Sequence, residues 1–319
     1  MNPTEIFINQ YGRVRSGWRF TVFLIALFAL LGILGGIGGA ITFYLPIGFS
    51  ENSLLAFTLP YFILLVSVVF IGWLCGRFLE GLPFRALGSW FTQNWLKDLV
   101  LGLVFGAAAM GVAALITVIF GATSFQFNLA AGQSAILLTL AVSFGIFIVG
   151  AASEEALFRG YILQTFVRAN LAWLAITLTS LFFAAGHLTN PGANYIAILN
   201  TVLAGIWFSV AYLKTRTLWL AFGLHLAWNW VQGAVLGLPV SGITDITTAP
   251  VLLPINYGST ILTGGDYGIE GGIACTIAVI IFILLTWFLP IFKPTEEMLN
   301  LSSNENPKNI LLQKERFTD

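Results

Sequence analysis

Two adjacent carboxylates and a guanidinium interrupt a long, uncharged and apolar part of this sequence. Glu154, Glu155 and Arg159 come after residues 99–153, a run without Asp, Glu, Lys or Arg. Charged side chains inside a bilayer are costly, so their presence there indicates function. On a helix, Glu155 and Arg159 share one face and the acid precedes the base, which favours an ion pair. Glu154 lies about 100° away around the helix axis and is left free for chemistry.

The same three charges also have a purely structural interpretation. They could form a network that packs helices together. Arg159 could instead extend to the cytoplasmic interface as an anchor. For the charged cluster taken alone, this interpretation stays open beside the functional one.

Both histidines of the chain lie in apolar segments of their own. His187 ends the sequence Phe-Ala-Ala-Gly-His, and His225 is followed four residues later by Asn229 on the same helix face. Measured along the predicted helices from their cytoplasmic ends, these three side chains and Glu154 lie about 14 to 24 Å deep. They could therefore meet in one layer of a helix bundle, although each histidine alone could be a packing residue.

A carboxylate, two imidazoles and an amide are sufficient to hydrolyse a peptide bond with an activated water. The carboxylate can act as a general base, and an amide or imidazole N–H can donate to the developing oxyanion. One Glu and two His are also a familiar ligand set for hydrolytic zinc, so the chemistry is possible with or without a metal. The sequence contains no His-Glu-x-x-His, Gly-x-Ser-x-Gly or Gly-x-Gly-Asp motif. Glu154 and Glu155 are predicted to be the only acids within spans.

The composition indicates a membrane protein. The chain has 319 residues, of which 58% are hydrophobic and 9% charged, and its mean hydropathy is +0.90. Soluble domains carry about 25% charged residues. The net charge of zero argues against nucleic-acid binding. Cys75 and Cys275 are too few and too far apart for a disulfide framework or a metal motif, and we expect both to be small buried residues.

The hydropathy pattern predicts an all-α, polytopic transmembrane bundle. A span needs about 20 mostly apolar residues, and about eight segments meet that requirement. The predicted spans are Phe20–Tyr44, Leu54–Gly76, Leu99–Phe120, Ser134–Phe166, Leu171–Leu188, Tyr195–Leu213, Leu218–Leu236 and Gly272–Phe292.

The distribution of cations orients these spans. Lys and Arg accumulate on the cytoplasmic side of membrane proteins. Apart from Arg159, every Lys and Arg falls outside the spans on one and the same side, which places both termini in the cytoplasm. We divide the chain into a cytoplasmic segment (1–19), a bundle (20–293) and a polar tail (294–319) that we expect to be disordered. For the long outer loop, 237–271, an ordinary flexible connection is favoured over a lid above a cavity.

Three short motifs in this chain resemble those of the CPBP family, the CAAX prenyl endopeptidase-like and bacteriocin-processing membrane proteins also called Abi. The family pattern is Glu-Glu-x-x-x-Arg, Phe-x-x-x-His and His-x-x-x-Asn/Asp, each on its own helix. This chain has Glu154-Glu155-Ala-Leu-Phe-Arg159, Phe183-Ala-Ala-Gly-His187 and His225-Leu-Ala-Trp-Asn229 in the same order. Each motif alone is weak, but the three together are specific, and the core that they define covers about residues 134–236.

The resemblance implies an eight-helix intramembrane endopeptidase with a cavity open toward the cytoplasm. Glu154 would be the catalytic carboxylate and His187 its water-positioning or metal-binding partner. His225 and Asn229 would be ligands or oxyanion stabilisers, and Glu155 with Arg159 the supporting pair. Zinc held by Glu154, His187 and His225 and a water activated by glutamate alone are both compatible with the family.

The resemblance also implies a place and a partner for the protein. It would reside in a lipid bilayer, as a multi-pass protein of a bacterial cytoplasmic membrane. Its substrate would be a peptide or protein near the membrane, with lipidated substrates possible. Two rival functions remain: a non-enzymatic scaffold or bacteriocin-immunity protein, and an ion-coupled transporter. The transporter is disfavoured because the sequence shows no internal repeat.

Overall fold

Apolar helices dominate the computed structural model, which describes residues 4–44 and 54–302. The α-helices are α1 (Thr4–Phe7), α2 (Ser16–Tyr44), α3 (Leu54–Cys75), α4 (Trp95–Ile119), α5 (Gln133–Leu157), α6 (Leu163–Arg168), α7 (Ala172–Ala185), α8 (Tyr195–Thr215), α9 (Trp219–Trp230), α10 (Thr260–Thr263), α11 (Ile273–Phe288) and α12 (Glu296–Ser302). Short 3₁₀ turns occupy Phe84–Leu87, Gly265–Tyr267 and Ile269–Gly271.

Five helical stretches in the described ranges are long and apolar enough to cross a membrane, judged by length and composition. The apolar helices α7 and α11 are shorter. All of these helices coincide with predicted spans, so a polytopic all-α membrane fold is supported, whereas the count of about eight spans and the cytoplasmic termini stay predictions. The five stretches are Ser16–Ala40, Thr58–Glu80, Trp95–Ile119, Gln133–Arg168 and Tyr195–Thr215.

Three helices widen into π-helical turns at Gly76–Glu80, Phe158–Ile162 and Val231–Val235. A π-helical turn holds one residue more than an α-helical turn, and such turns are frequent at functional sites. The second of them joins α5 to α6 and contains a non-helical backbone angle at Gly160, with ψ −129°. The predicted fourth span is therefore two helices joined at a kink.

Close backbone contact joins α4 to α9, the helix that carries His225 and Asn229. A Cβ atom at Gly102 would lie 2.5 Å from the carbonyl oxygen of Leu220, and one at Gly223 would lie 2.6 Å from that of Leu99. Small residues at helix interfaces allow this approach in membrane bundles. The glycines therefore allow the backbones of α4 and α9 to pack closely together. The main hydrophobic core lies around this contact. It consists largely of side chains from α4, α8, α9 and α11, including Trp207, Leu220, Leu224 and Phe282.

The long predicted outer loop is folded onto the bundle, so the expectation of a flexible connection is wrong. Its strand β2 (Leu252–Asn256) pairs antiparallel with β1 (Thr123–Phe127), and Val240 and Ile243 form an isolated bridge. Asn200 on α8 donates to the backbone carbonyls of Glu270 and Gly272 at 2.7 and 2.9 Å. These bonds satisfy backbone groups that a structureless loop would leave unpaired. The pairing of β1 with β2 also adds a two-stranded sheet to the predicted all-α fold.

The beginning of the polar tail is also ordered, contrary to the expected disorder. Met298 and Leu301 of α12 are buried against Leu82 and Ala86. Glu297 on the same helix pairs with an arginine of the 3₁₀ turn at 3.1 Å between Oε1 and Nη1 of Arg85. The rest of the predicted tail, like the predicted loop at 45–53, lies outside the described residues.

A buried network around Glu80 lies at the predicted cytoplasmic end of the bundle. It corrects two predictions: that Arg19 and Arg168 lie outside the spans, and that Glu154 and Glu155 are the only acids within them. Glu80 accepts from Arg19 at 2.9 Å, from Arg168 at 2.8 and 2.9 Å, and from Thr165 at 3.2 Å. Arg19 and Arg168 are thus buried structural partners. Glu154 and Glu155 are not the only acids in spans, since Glu80 ends one candidate span. Asp98, buried in the first turn of α4, is a further span acid and accepts from Thr217 at 3.2 Å.

Cys75 and Cys275 are both free and buried, as predicted. They lie in separate apolar clusters, Cys275 in the main core and Cys75 among residues of α2, α3 and the kinked helix. Each therefore acts as a small core residue.

Candidate active site

One cavity of about 170 Å³ lies where the three sequence motifs meet. All four residues predicted to do the chemistry line it, as do parts of α3, α8, α11 and the folded loop. The structure thus brings these four side chains to one cavity, as their predicted depths allowed. The motif residues in the cavity wall are Glu154, His187, His225 and Asn229, and the residues that the motifs do not contain include Tyr61, Ser241 and Glu270.

Glu155 and Arg159 form the ion pair that their helical spacing predicts. Arg159 Nη1 lies 3.3 Å from Glu155 Oε1, and both side chains are almost fully buried. Arg159 also donates to the carbonyl of Gly205 at 2.9 Å. Its guanidinium lies 4.8 and 5.1 Å from the ring centroids of Phe183 and Phe208, within cation–π range. The cation is thus held on several sides, and it neutralises Glu155.

Glu155 also orients the second histidine. His225 Nδ1 lies 2.9 Å from Glu155 Oε1. Because a carboxylate only accepts hydrogen bonds, Nδ1 must carry the proton and donate it, which leaves the lone pair of a neutral imidazole on Nε2. The ring of His225 is further fixed by stacking on Phe208 at a centroid distance of 4.8 Å.

Glu154 differs from its neighbour by facing the cavity. Its side chain is 21% exposed, against 1% for Glu155. Glu154 Oε2 lies 3.7 Å from His225 Nε2. That separation is too long for a direct hydrogen bond, and a water about 2.8 Å from each atom could bridge the two. His225 therefore stands between the two carboxylates, with one ring nitrogen toward each.

His187 lies just beyond the helix that was predicted to contain it. Helix α7 ends at Ala185, and residues 186–189 form a turn. His187 Nδ1 lies 2.8 Å from the carbonyl oxygen of Phe183, so this nitrogen donates and Nε2 again keeps the lone pair. The imidazole is half-buried at the cavity wall. Asn229, also half-buried, lines the cavity one helical turn beyond His225.

The fit of this site to a metal ion is limited. Hydrogen bonds on Nδ1 of both histidines are the arrangement that metal-binding imidazoles use. Within residues 4–44 and 54–302, however, no group of three or more His, Cys, Asp or Glu side chains is placed to hold a metal ion. The predicted zinc set of Glu154, His187 and His225 is thus not assembled in this arrangement.

Glu270 is a cavity residue that the sequence motifs do not include. Its carboxylate accepts from Trp228 Nε1 at 3.0 Å, Gln232 Nε2 at 3.2 Å, and the backbone N and Oγ of Ser241 at 2.6 and 3.1 Å. Burial, and secondarily Glu270, raises the pKa of the adjacent Tyr267 to about 12. In the sequence, Glu270 is one of three acids in the loop, with Asp245 and Asp266. Nothing in the local pattern distinguishes it from the other two.

Comparison with known proteins finds a family model and a relative that match the part of the chain that contains the site. Residues 134–231 match the family model described as type II CAAX prenyl endopeptidase Rce1-like. That stretch contains all three motifs, and it confirms the predicted resemblance to CAAX-type membrane proteases. The chain is also 31% identical over 149 residues to an uncharacterised 24.3 kDa protein of Escherichia coli. The alignment covers 45% of this chain and 62% of that protein's length.

Proposed function

We propose that this protein, whose residues 134–231 form an Rce1-like domain, is an intramembrane endopeptidase that hydrolyses a peptide bond with a water activated by Glu154. The observation that carries the proposal is that two neighbouring acids differ in burial and in their ion-pair partners. Glu155 is buried and paired with Arg159, while Glu154 faces the cavity 3.7 Å from His225 Nε2. Because Arg159 is hydrogen-bonded to Glu155, Glu154 is the acid that is left open to the cavity and suited to act as a base.

In the proposed step, a water donates one hydrogen bond to Glu154 and the other to an imidazole Nε2. The water oxygen attacks the carbonyl carbon of the scissile peptide bond, and its proton passes to Glu154. The carbonyl oxygen becomes an oxyanion, to which the side-chain amide of Asn229 donates a hydrogen bond. Glu154 then gives its proton to the amide nitrogen, the C–N bond breaks, and a carboxylic acid and an amine leave.

His187 and His225 are the two candidates for the imidazole that accepts the second O–H of the water, because Glu154 already accepts the first. Both use Nδ1 as a donor to a fixed acceptor, Phe183 O and Glu155 respectively, so that a neutral ring offers Nε2 as an acceptor. Glu155 and Arg159 support the site through His225. A pre-oriented acceptor lowers the entropic cost of placing the water against the carbonyl carbon.

Zinc bound by Glu154, His187 and His225 stays a separate proposal, and no step above passes through it. A peptide or protein near the membrane, lipidated ones included, is proposed as the substrate, and a bacterial cytoplasmic membrane as the location. The apolar helices that surround the cavity are compatible with both.

The test is cleavage by the purified full chain in liposomes, with the variants Glu154→Gln and His187→Ala. We expect Glu154→Gln to lower kcat by about 10²- to 10⁴-fold, the usual contribution of a general base. Thermal unfolding should be unchanged, because Gln has nearly the shape of Glu and the Glu154 side chain is 21% exposed at the cavity. Normal cleavage by a well-folded Glu154→Gln protein would overturn the mechanism.

Two further readouts on the same samples separate the rivals. Metal analysis decides the zinc proposal: zinc that is lost on His187→Ala supports ligation, and cleavage by metal-free protein supports the water activated by glutamate alone. Proton-coupled flux in the liposomes that depends on Glu154 would favour a transporter. If Glu154→Gln lowers expression and stability rather than turnover, a scaffold would be favoured.

A further inference from the structure

The cavity contains a second carboxylate, Glu270, that the proposed mechanism does not use. It enters the cavity wall from the folded loop, and its own backbone carbonyl is fixed by Asn200 at 2.7 Å. Its side chain is half-buried, so part of it remains accessible from the cavity.

All four hydrogen bonds found for the Glu270 side chain are accepted by its two oxygens. Oε1 accepts from the indole N–H of Trp228, and Oε2 accepts from the backbone N–H of Ser241 and the amide of Gln232. An indole N–H, a backbone N–H and an amide NH₂ can only donate, so both oxygens act as acceptors. The charge is therefore stabilised in place by neutral donors.

Glu270 differs from Glu80 and Glu155 because none of the ion pairs among the described residues includes it. Glu80 is paired with two arginines, and Glu155 with one. No Lys or Arg is present among the residues that line the cavity in the described part of the chain. A charge in a poorly solvated wall gains most from a cation that arrives with a ligand. Oε2 already has three donors, whereas Oε1 has one and keeps acceptor capacity.

The spacing along α9 relates this carboxylate to the proposed chemistry. His225, beside Glu154, and Trp228, beside Glu270, are three residues apart, which is about 4.5 Å along the helix axis. An extended peptide advances about 3.3 to 3.6 Å per residue. A peptide that runs along α9 with its scissile bond at Glu154 would bring a residue one or two positions away toward Glu270.

From these observations we propose that Glu270 forms a subsite for a positively charged group of the substrate peptide, one or two residues from the scissile bond. The cation is a Lys or Arg side chain or a free α-amino group. This proposal rests on the proposed function, because the position is counted from a scissile bond at Glu154. The four donors to Glu270 hold the carboxylate in position before the substrate binds, which reduces the cost of recognition.

The test uses the full chain in liposomes and N-acetylated peptides that differ at one fixed position near the scissile bond, carrying Lys, norleucine or Glu. We expect the Lys peptide to have a KM about tenfold below that of the norleucine peptide. Glu270→Gln should remove this preference with little change in kcat for the norleucine peptide. A matched peptide without Lys but with a free amino terminus distinguishes the α-amine from the side chain.

Asp266→Asn is the matched control, since it removes one acid from the same loop at an exposed position outside the cavity. It should keep the Lys preference. Glu270→Asp, which retains the charge, should keep part of it and guards against a folding defect in Glu270→Gln. If Glu270→Gln weakens cleavage of the Lys and norleucine peptides equally, Glu270 only fastens the loop and the proposal fails.

Binding of the same peptides to Glu154→Gln protein, followed by fluorescence anisotropy, separates this proposal from the proposed function. A Lys preference in binding that depends on Glu270, without cleavage by the wild-type protein, would support the subsite and refute the peptidase. Cleavage that depends on Glu154 but shows no charge preference would support the peptidase and refute the subsite.

Discussion

Two buried carboxylate–arginine networks lie about two helical turns apart on the kinked helix, and they differ in how their charges are matched. Glu80 has two arginines, and both of its oxygens are bound. In the other network, two carboxylates, Glu154 and Glu155, share one arginine and a histidine. Burial of charge is common to both regions. An acid that is left unmatched and open to a cavity distinguishes the candidate active site from the structural network.

Glu155→Gln should give the largest effect, because Glu155 belongs to a buried ion pair and also orients His225. Loss of one partner of a buried pair costs about 3–5 kcal/mol of unfolding free energy. Loss of a group that orients a site residue costs about 10- to 100-fold in activity. Denaturant unfolding in detergent and cleavage kinetics measure the two effects. A loss of stability with unchanged kcat would mean that His225 does not depend on Glu155.

Glu80→Gln should change stability alone. Arg19 and Arg168 would be left buried without their carboxylate, at a cost of about 3–5 kcal/mol in the free energy of unfolding. At a temperature where the variant is folded, kcat per folded molecule should match the wild type. A large fall in kcat would show that the two networks are coupled and would break the comparison.

Asn229→Ala should change turnover alone. Removal of one oxyanion donor costs about 2.7–4 kcal/mol of transition-state stabilisation, or roughly 10²- to 10³-fold in kcat. The KM should change little, and thermal unfolding should stay close to the wild type, because Asn229 is half-buried at the cavity wall. An unchanged kcat would remove Asn229 from the mechanism.

Arg168→Lys should have the smallest effect, confined to stability. Lys keeps the charge but cannot reproduce the two parallel hydrogen bonds that Arg168 Nε and Nη2 donate to Glu80. One lost bond to a charged group is worth about 1.5–3 kcal/mol. Chemical unfolding of the variant measures this, and cleavage kinetics serve as the control. A stability equal to that of the wild type would mean that charge alone, without geometry, holds this network.

The parts of the site that the sequence predicts are those encoded by spacing within one helix. Glu155 and Arg159 are four positions apart, as are His225 and Asn229, and a helix brings each pair to one face. The helices themselves follow from uninterrupted apolar segments. Depth estimates along these helices then allowed the four site side chains to meet. The predicted split between a paired acid and a free acid also depends only on helical geometry.

The parts that the sequence does not predict depend on contacts between distant segments. Glu80 and Arg168 are 88 positions apart, and Trp228 and Glu270 are 42 apart, so no local pattern connects them. A charge count had placed Arg19 and Arg168 among the cytoplasmic cations, because composition cannot separate an exposed cation from one buried against an acid. The order in 237–271 likewise comes from pairing with β1 and from Asn200, both outside the loop.

The π-helical turn at Phe158–Ile162 has a consequence for how the length of this chain can vary. Glu154 and Glu155 precede the turn, and Thr165 and Arg168, which bind Glu80, follow it. Removing one residue other than Arg159 from the turn would rotate everything beyond it by about 100°. Arg168 would then face away from Glu80. A single-residue deletion here would therefore uncouple the catalytic half of the helix from its anchoring half, even though every functional side chain would still be encoded.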